Sequence, residues 1–291
     1  MRSLRVFFVP VFRGLGHPGA MAVEGMIGFL GAGKMAGALA AGWLEAGLVE
    51  PRQILAADPS PEAREAFSRR TGAVAVEDNA EVARQVETIV VAVKPNQAEP
   101  ALQKLRGEIK DAHRLVSIAA GVSTARIEKA LFDGVRVVRV MPNTPALVGA
   151  MAGAYALGRW AKPEDAALAR ELFSALGVVF EVEEGLMDAV TGLSGSGPAF
   201  VYLVIEALAD GGVAVGLPRS IARELAAHTV LGAAKMVAET GEHPGELKDA
   251  VASPGGTTIA GLRELEGRGV RAALMEAVVR AARRSEELGA S

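Results

Sequence analysis

Met26-Ile27-Gly28-Phe29-Leu30-Gly31-Ala32-Gly33-Lys34-Met35-Ala36-Gly37 is the stretch whose reading decides the fold. A short apolar run passes into a G-x-G-x-x-A spacing made by Gly31, Gly33 and Ala36, and an alanine-rich amphipathic run follows. That order predicts a strand, a tight turn and a helix. Gly31 permits the turn, Gly33 lets a pyrophosphate approach the backbone, and Ala36 lets helix and strand pack closely. Free N–H groups at the helix start then hold the phosphates. A glycine-rich turn with no ligand would use the same residues, so context decides. The match opens the first βαβ unit, and Asp58 closes the second strand, where an acid hydrogen-bonds an adenosine ribose. A carboxylate there repels a 2′-phosphate and favours NADH over NADPH unless the loop turns it away, and Arg52 and Arg64 leave both cofactors open.

Working outward, short β-branched runs alternate with amphipathic ones, the pattern of a mainly parallel sheet covered by helices. Strands are expected at 26–30, 53–58, 73–76, 87–93, 114–119 and 135–140, with extensions of the sheet at 151–157 and 178–182. Helices are expected to begin near Gly33, Pro61, Asn79, Gln97, Ser123 and Pro163. After Glu184 the strand signal stops, and helices are expected at 186–214, 218–240, 244–251, 256–266 and 269–288. The expected fold class is therefore α/β: a Rossmann-type dinucleotide-binding domain over 26–183, then an all-α domain over 184–291. The second domain has too few residues for a thick core of its own, which predicts at least a dimer.

Composition narrows the function. Of the 291 residues, 50% are hydrophobic and only 4% aromatic, so the core is expected to consist largely of Ala, Val, Leu and Ile. A net charge of -3 with interspersed signs offers no basic face for nucleic acid. The chain has no cysteine, which excludes disulfides, thiolate catalysis and sulfur-rich metal sites and agrees with a cytoplasmic protein. His17, His113, His228 and His243 show no metal-ligand spacing, so no metal is expected. The longest apolar run is interrupted by Glu206 and Asp210, and no membrane span is expected. Residues 1–22 imitate a secretory signal, but Pro10 and Arg13 break the apolar stretch. An upstream start or a disordered extension, taken over 1–25, is expected instead.

Two further features bear on a site. Ala92-Val93-Lys94-Pro95 and Ile118-Ala119-Ala120-Gly121 end later strands, where open α/β sheets place ligands, although Pro95 and Gly121 would also serve simply to end strands. Ser253-Pro254-Gly255-Gly256-Thr257-Thr258 is a proline–glycine turn feeding a helix, whose exposed N–H groups would suit a small carboxylate. Read from the residues alone, a Ser/Thr helix cap with no ligand accounts for it at least as well.

The stretches FLGAGKMA, VAVKP, SIAAGV, MPNTPALVG (141–149), DAVTGLSGSGPAFVYLVIEALADGGVAVGLPR (188–219) and LKDAVASPGGTTIAGLRELE (247–266) together resemble the pyrroline-5-carboxylate reductase family from Ile27 to the last helix. The resemblance implies reduction of 1-pyrroline-5-carboxylate to L-proline by NADPH or NADH. It implies cofactor contacts at Leu30, Gly31, Ala32, Gly33, Lys34, Met35, Asn79, Ala92, Val93, Lys94, Pro95, Ile118, Ala119 and Ala120. It implies substrate contacts at Glu184, Ser253, Gly255, Gly256, Thr257 and Thr258, with Thr258 donating to the imine nitrogen. One departure is Ala250, where some members carry an asparagine that contacts cofactor. The family's intertwined dimers, sometimes arranged in rings, imply a homo-oligomer. A reductase of another imino or oxo acid, and a non-catalytic dinucleotide-binding paralogue, remain as alternatives.

Overall fold

The computed structural model describes residues 23–290, and the signal-like start discussed above lies outside them up to residue 22. Val23 is buried, its N–H donates to the Leu48 carbonyl, and its own carbonyl accepts from Gln53 Nε2. Residues 23–25, grouped above with an extension, therefore belong to the fold.

Eight strands form one sheet in the order β3-β2-β1-β4-β5-β6-β7-β8. The elements are β1 (Ile27–Leu30), α1 (Lys34–Glu45), β2 (Ile54–Ala57), α2 (Pro61–Thr71), β3 (Val74–Val76), α3 (Asn79–Ala83), β4 (Thr88–Val91), α4 (Pro95–Lys104), β5 (Arg114–Ser117), α5 (Thr124–Ala130), β6 (Arg136–Met141), β7 (Met151–Leu157), α6 (Pro163–Ser174) and β8 (Gly177–Glu181). Strands β1 to β6 are parallel, and among the described residues the one antiparallel pairing is β6 with β7. Strand order reverses between β1 and β4, which opens the crevice where such sheets bind dinucleotides. Helix α4 starts at Pro95 rather than near Gln97, because proline's fixed φ and missing N–H suit a first helical turn.

The core is built largely from Ala, Val, Leu and Ile, as the composition predicts, and its few large rings are gathered in one place. Phe29, Trp43, Phe67 and Phe173 gather on one face of the sheet, with Phe29 and Trp43 stacked at 5.5 Å and Trp43 edge-on to Phe173 at 5.8 Å. Trp43 Nε1 donates to the Leu172 carbonyl at 2.8 Å, so its one polar atom is satisfied inside. Scarce aromatics are concentrated where they bury most area.

The chain divides into two compact units, residues 23–195 with 281–290, and Ser196–Arg280. The helical part contains α7 (Met187–Val190), α8 (Gly197–Ala214), α9 (Arg219–Thr240), α10 (Pro244–Ala250), α11 (Thr257–Gly267) and α12 (Val270–Ala290). The single helix expected over 186–214 is broken by a π turn at Thr191–Gly195. Within the second unit α8 and α9 pack through Ala209, Ala222 and Ala226, while Leu203, Leu208, Leu225, Leu231 and Met236 stay exposed. By length and composition the run Glu184–Ala214 contains a stretch apolar enough to cross a bilayer, so Glu206 and Asp210 do not by themselves exclude a span as the sequence suggested. Two acids in such a run are tolerable.

Candidate functional site

The carboxyl ends of β1, β2 and β4 are stitched together around the glycine turn. Gly31 takes a φ of 96°, and its N–H donates to the Ala57 carbonyl at 2.7 Å. A Cβ there would lie 2.9 Å from the Ala92 carbonyl oxygen, so the turn passes too close to β4 for any side chain. Asp58 braces the same turn: Oδ2 accepts from the Ala32 N–H at 3.0 Å and Oδ1 from the Ser60 N–H at 2.9 Å. Arg64 Nη1 donates to the Asp58 and Pro59 carbonyls, folding its guanidinium over the loop.

Gly33 is different. It is the N-cap of α1 with an ordinary φ of -71°, and a Cβ would meet nothing within 4 Å. No side chain caps α1 and no acid stands in its first turn, so the helix start is left to an anion. Leu30 and Ala32 are buried, while Lys34 is exposed and Met35 half-buried beside them. This cradle fits a dinucleotide pyrophosphate on geometry alone.

The other expected cofactor residues follow the sheet edge. Asn79 opens α3 just after β3, where Asp78 Oδ1 caps through the Ala80 N–H. Ala92, Val93, Lys94 and Pro95 link β4 to α4, which also lacks a side-chain cap. Ile118, Ala119 and Ala120 follow β5, with the Ile118 N–H tied to the Val91 carbonyl at 3.1 Å. All of them lie at or just beyond the carboxyl ends of parallel strands, the edge at which such sheets place ligands.

Glu184 lies elsewhere in the first unit. It follows β8, which runs against β1–β6, and its Oε1 accepts from Arg139 Nη1 at 2.9 Å and from the Thr124 N–H at 3.2 Å. Arg139, in mid-strand of β6, also reaches Asp188 Oδ1 at 3.4 Å, and Ser285 Oγ donates to that oxygen at 2.7 Å. Glu184 Oε2 is buried with no hydrogen-bond partner. Nearby, burial holds the Glu128 carboxyl above its usual value, against the pull of the Arg159 N–H that it accepts. The sequence reading missed Arg139; an arginine inside the apolar run VRVVRV was the available signal, since such residues are buried only when paired.

In the second unit the Ser253–Thr258 segment forms the start of α11. Gly255 takes a φ of 67°, the Gly256 N–H donates to the Ser253 carbonyl, and no side chain caps the helix. Ser253 Oγ sits over Gly256, 2.3 Å from where a Cβ would be, so the hydroxyl occupies the space beside the open amides. Ser253, Gly255 and Thr257 are exposed, and Gly256 and Thr258 half-buried. The capping alternative left open by the sequence is thus not realised through a side-chain hydrogen bond.

Fold and site together define a dinucleotide-dependent oxidoreductase with a helical dimerisation domain. Residues 26–121 match the family described as NADP oxidoreductase, coenzyme F420-dependent, and residues 184–288 match pyrroline-5-carboxylate reductase dimerisation. A pyrroline-5-carboxylate reductase from Methanosarcina acetivorans is 52% identical over 90% of this chain and 97% of its own length. One from Arabidopsis thaliana is 48% identical over 91% of this chain and 96% of its own. Among solved structures, the Plasmodium falciparum pyrroline carboxylate reductase with NADP bound superposes with a TM-score of 0.85 at 33% identity, covering 92% of this chain and 99% of that one. The chain belongs to the pyrroline-5-carboxylate reductase family. Its exposed apolar helices α8 and α9 accordingly lie in a dimerisation domain.

Proposed function

We propose that the protein reduces 1-pyrroline-5-carboxylate to L-proline, the last step of proline biosynthesis, with NADPH or NADH as reductant, working as a cytoplasmic homodimer or ring of dimers. The observation that carries the reading is the presence in one chain of an anion-ready, ligand-shaped cradle at Gly33 and an uncapped carboxylate nest at the start of α11.

When bound, the reduced nicotinamide supplies a hydride to the ring C=N carbon. With the imine nitrogen protonated, the product is the secondary amine, and charge and atoms balance. The protein's residues hold and orient. The Thr257 and Thr258 N–H groups and Ser253 Oγ grip the substrate carboxylate, and the positive end of α11 favours the anion. Thr258 Oγ1 hydrogen-bonds the imine nitrogen and fixes its ring. The matched motifs contain no histidine, lysine or cysteine suited to proton transfer at that atom, and a cyclic imine carries its own proton in neutral water. The chain's main catalytic contribution is therefore alignment of two bound reactants.

Thr258→Ala is expected to lower kcat by roughly 10²-fold, as loss of an orienting group does, while leaving cofactor affinity within about twofold. Steady-state kinetics with unchanged kcat would remove Thr258 from this role. The direct test follows NADH and NADPH oxidation by purified protein with added 1-pyrroline-5-carboxylate. Substrate-dependent oxidation is expected, and its absence from folded, cofactor-binding protein overturns the proposal.

Cofactor choice should respond to Asp58. Its carboxylate, held by the Ala32 and Ser60 amides just after β2, would oppose a 2′-phosphate on an adenosine ribose bound there. Asp58→Asn keeps an acceptor for Ala32 and removes the charge. The ratio of kcat/KM for NADPH to that for NADH should rise about tenfold, the equivalent of ~1.4 kcal/mol. A ratio that stays put would mean that the Arg64 guanidinium over this loop already neutralises the carboxylate.

A further inference from the structure

Behind two of the loops read as cofactor contacts, Ala92–Pro95 and Ile118–Ala120, sits a side chain that the reading above does not use. Arg126 lies at the start of α5, shortly after the Ile118–Ala120 loop. Its Nε donates to Glu99 Oε1 at 2.6 Å, and Glu99 belongs to α4, the helix that the Ala92–Pro95 loop opens. Its Nη1 donates to the Gly289 carbonyl near the end of α12, also at 2.6 Å. One guanidinium thus joins the helices behind both loops and the end of the chain's last helix.

The contact of α12 with the loop is close on its own account. Gly121, which ends the Ile118–Ala120 loop, takes a φ of 72°, and a Cβ on it would lie 3.2 Å from the Ser285 carbonyl oxygen. A Cβ on Gly289 would lie 2.6 Å from the Gly121 carbonyl oxygen. Backbone rests on backbone here, and any side chain at residue 289 must push the helix end and the loop apart. Ser285 Oγ on Asp188 Oδ1 pins the preceding turn.

We propose that Arg126 is a positioning residue for hydride transfer: by tying α4, α5 and the end of α12 through one planar fork, it sets the separation of the Ala92–Pro95 and Ile118–Ala120 loops and so the placing of the nicotinamide ring over them. The proposal rests on the reading of those loops as cofactor contacts. Arginine is suited to the task because its Nε and Nη1 donate along separate directions in one rigid plane, which a lysine ammonium cannot reproduce. The Arg126 and Glu99 side chains are 32% and 31% exposed, so the pair contributes little to stability. Geometry is another matter, since a displacement of about 1 Å at a reacting centre costs up to 10²-fold in rate. The expected signature is a kinetic loss without a stability loss.

The test uses the full chain with Arg126→Ala, Arg126→Lys, Gly289→Val and Ala120→Glu, measuring NADPH affinity by nucleotide fluorescence, kcat, both KM values and Tm. Arg126→Ala should lower kcat about tenfold and raise the cofactor KM severalfold, with the KM for 1-pyrroline-5-carboxylate within twofold and Tm nearly unchanged. Arg126→Lys, which regains Glu99 but not Gly289, should recover only part, and Gly289→Val, which forces the helix end off the Gly121 loop, should lower kcat and raise the cofactor KM in the same way with a fall in Tm added. Ala120→Glu puts a carboxylate into the loop itself and should weaken NADPH binding strongly. If it does so while Arg126→Ala keeps wild-type kcat and cofactor KM, the positioning role is overturned and the loop assignment stands. If Ala120→Glu leaves NADPH binding intact, the loop assignment fails and takes the proposal with it. An Arg126→Ala loss that tracks a fall in Tm and is fully restored by Arg126→Lys would also overturn it, as a structural ion pair.

Discussion

Gly33→Val should leave the fold unchanged and remove cofactor binding. The two glycines of the turn are small for different reasons, and the structure separates them. At Gly31 the backbone itself forbids a side chain: φ is 96° and the Ala92 carbonyl stands 2.9 Å from a would-be Cβ. Gly31→Val would therefore strain the protein by about 1–3 kcal/mol even without ligand, and its loss of activity would say little about the cofactor. At Gly33 the backbone is ordinary and the space for a side chain is open. Nothing in the protein needs glycine there, so the requirement must come from what occupies that space. A valine would stand between the α1 amides and a pyrophosphate. NADPH and NADH affinity should both fall by at least about 10²-fold, with Tm within roughly 2 °C of the parent, an allowance suited to an exposed substitution. Calorimetry or fluorescence titration beside a thermal melt reads both quantities. Retained affinity in a folded variant would dislodge the pyrophosphate from the glycine turn and with it the first step of the functional reading.

Much of the fold was legible because parallel strands covered on both faces have to be apolar throughout. The run ETIVVAV gives β4, all of whose residues are buried, and IGFL gives β1 in the same way. Asp58 was legible as the acid ending β2, but its bonds to the Ala32 and Ser60 amides were not, since a sequence shows which residue stands near a turn and not which way its side chain points. The aromatic cluster was hidden for a different reason. Phe29, Trp43, Phe67 and Phe173 come from four separate elements, and only the closing of the sheet brings them together. The π turn at Thr191–Gly195 was equally invisible, because the small residues of LSGSGPAF carry almost no apolar periodicity in which an extra residue would show as a change of phase. In the site, the glycine turn and the start of α11 could be read because backbone amides at helix starts depend on local sequence. Arg126 and Arg139 could not, since their partners Gly289 and Glu184 lie 163 and 45 residues away.

Arg139→Met should destabilise the protein strongly. The side chain is only 4% exposed, in the middle of β6, and its guanidinium is the charge partner of both Glu184 and Asp188. Methionine has nearly the right length and no charge, so little packing is lost, and the cost falls on the two carboxylates left behind. Breaking a fully buried pair from one side costs about 3–5 kcal/mol. With the Glu184 and Asp188 side chains 31% and 24% exposed, water screens part of the stranded charge and the loss lies at the lower end, about 3 kcal/mol or a fall in Tm of roughly 5–10 °C. Glu184 would suffer most, because its Oε2 already has no hydrogen-bond partner and Oε1 would keep only the Thr124 N–H. The compensated variant separates charge from packing. Arg139→Met combined with Glu184→Gln and Asp188→Asn removes the stranded charges, and it should recover a large part of the lost Tm. Full destabilisation in that triple variant would show that the guanidinium acts through shape and not through charge. The same proteins bear on Glu184 as a substrate contact. Glu184→Gln that lowers Tm with an unchanged KM for 1-pyrroline-5-carboxylate marks a residue whose task is to hold β6 and the start of α5. A raised KM with unchanged Tm returns it to the substrate.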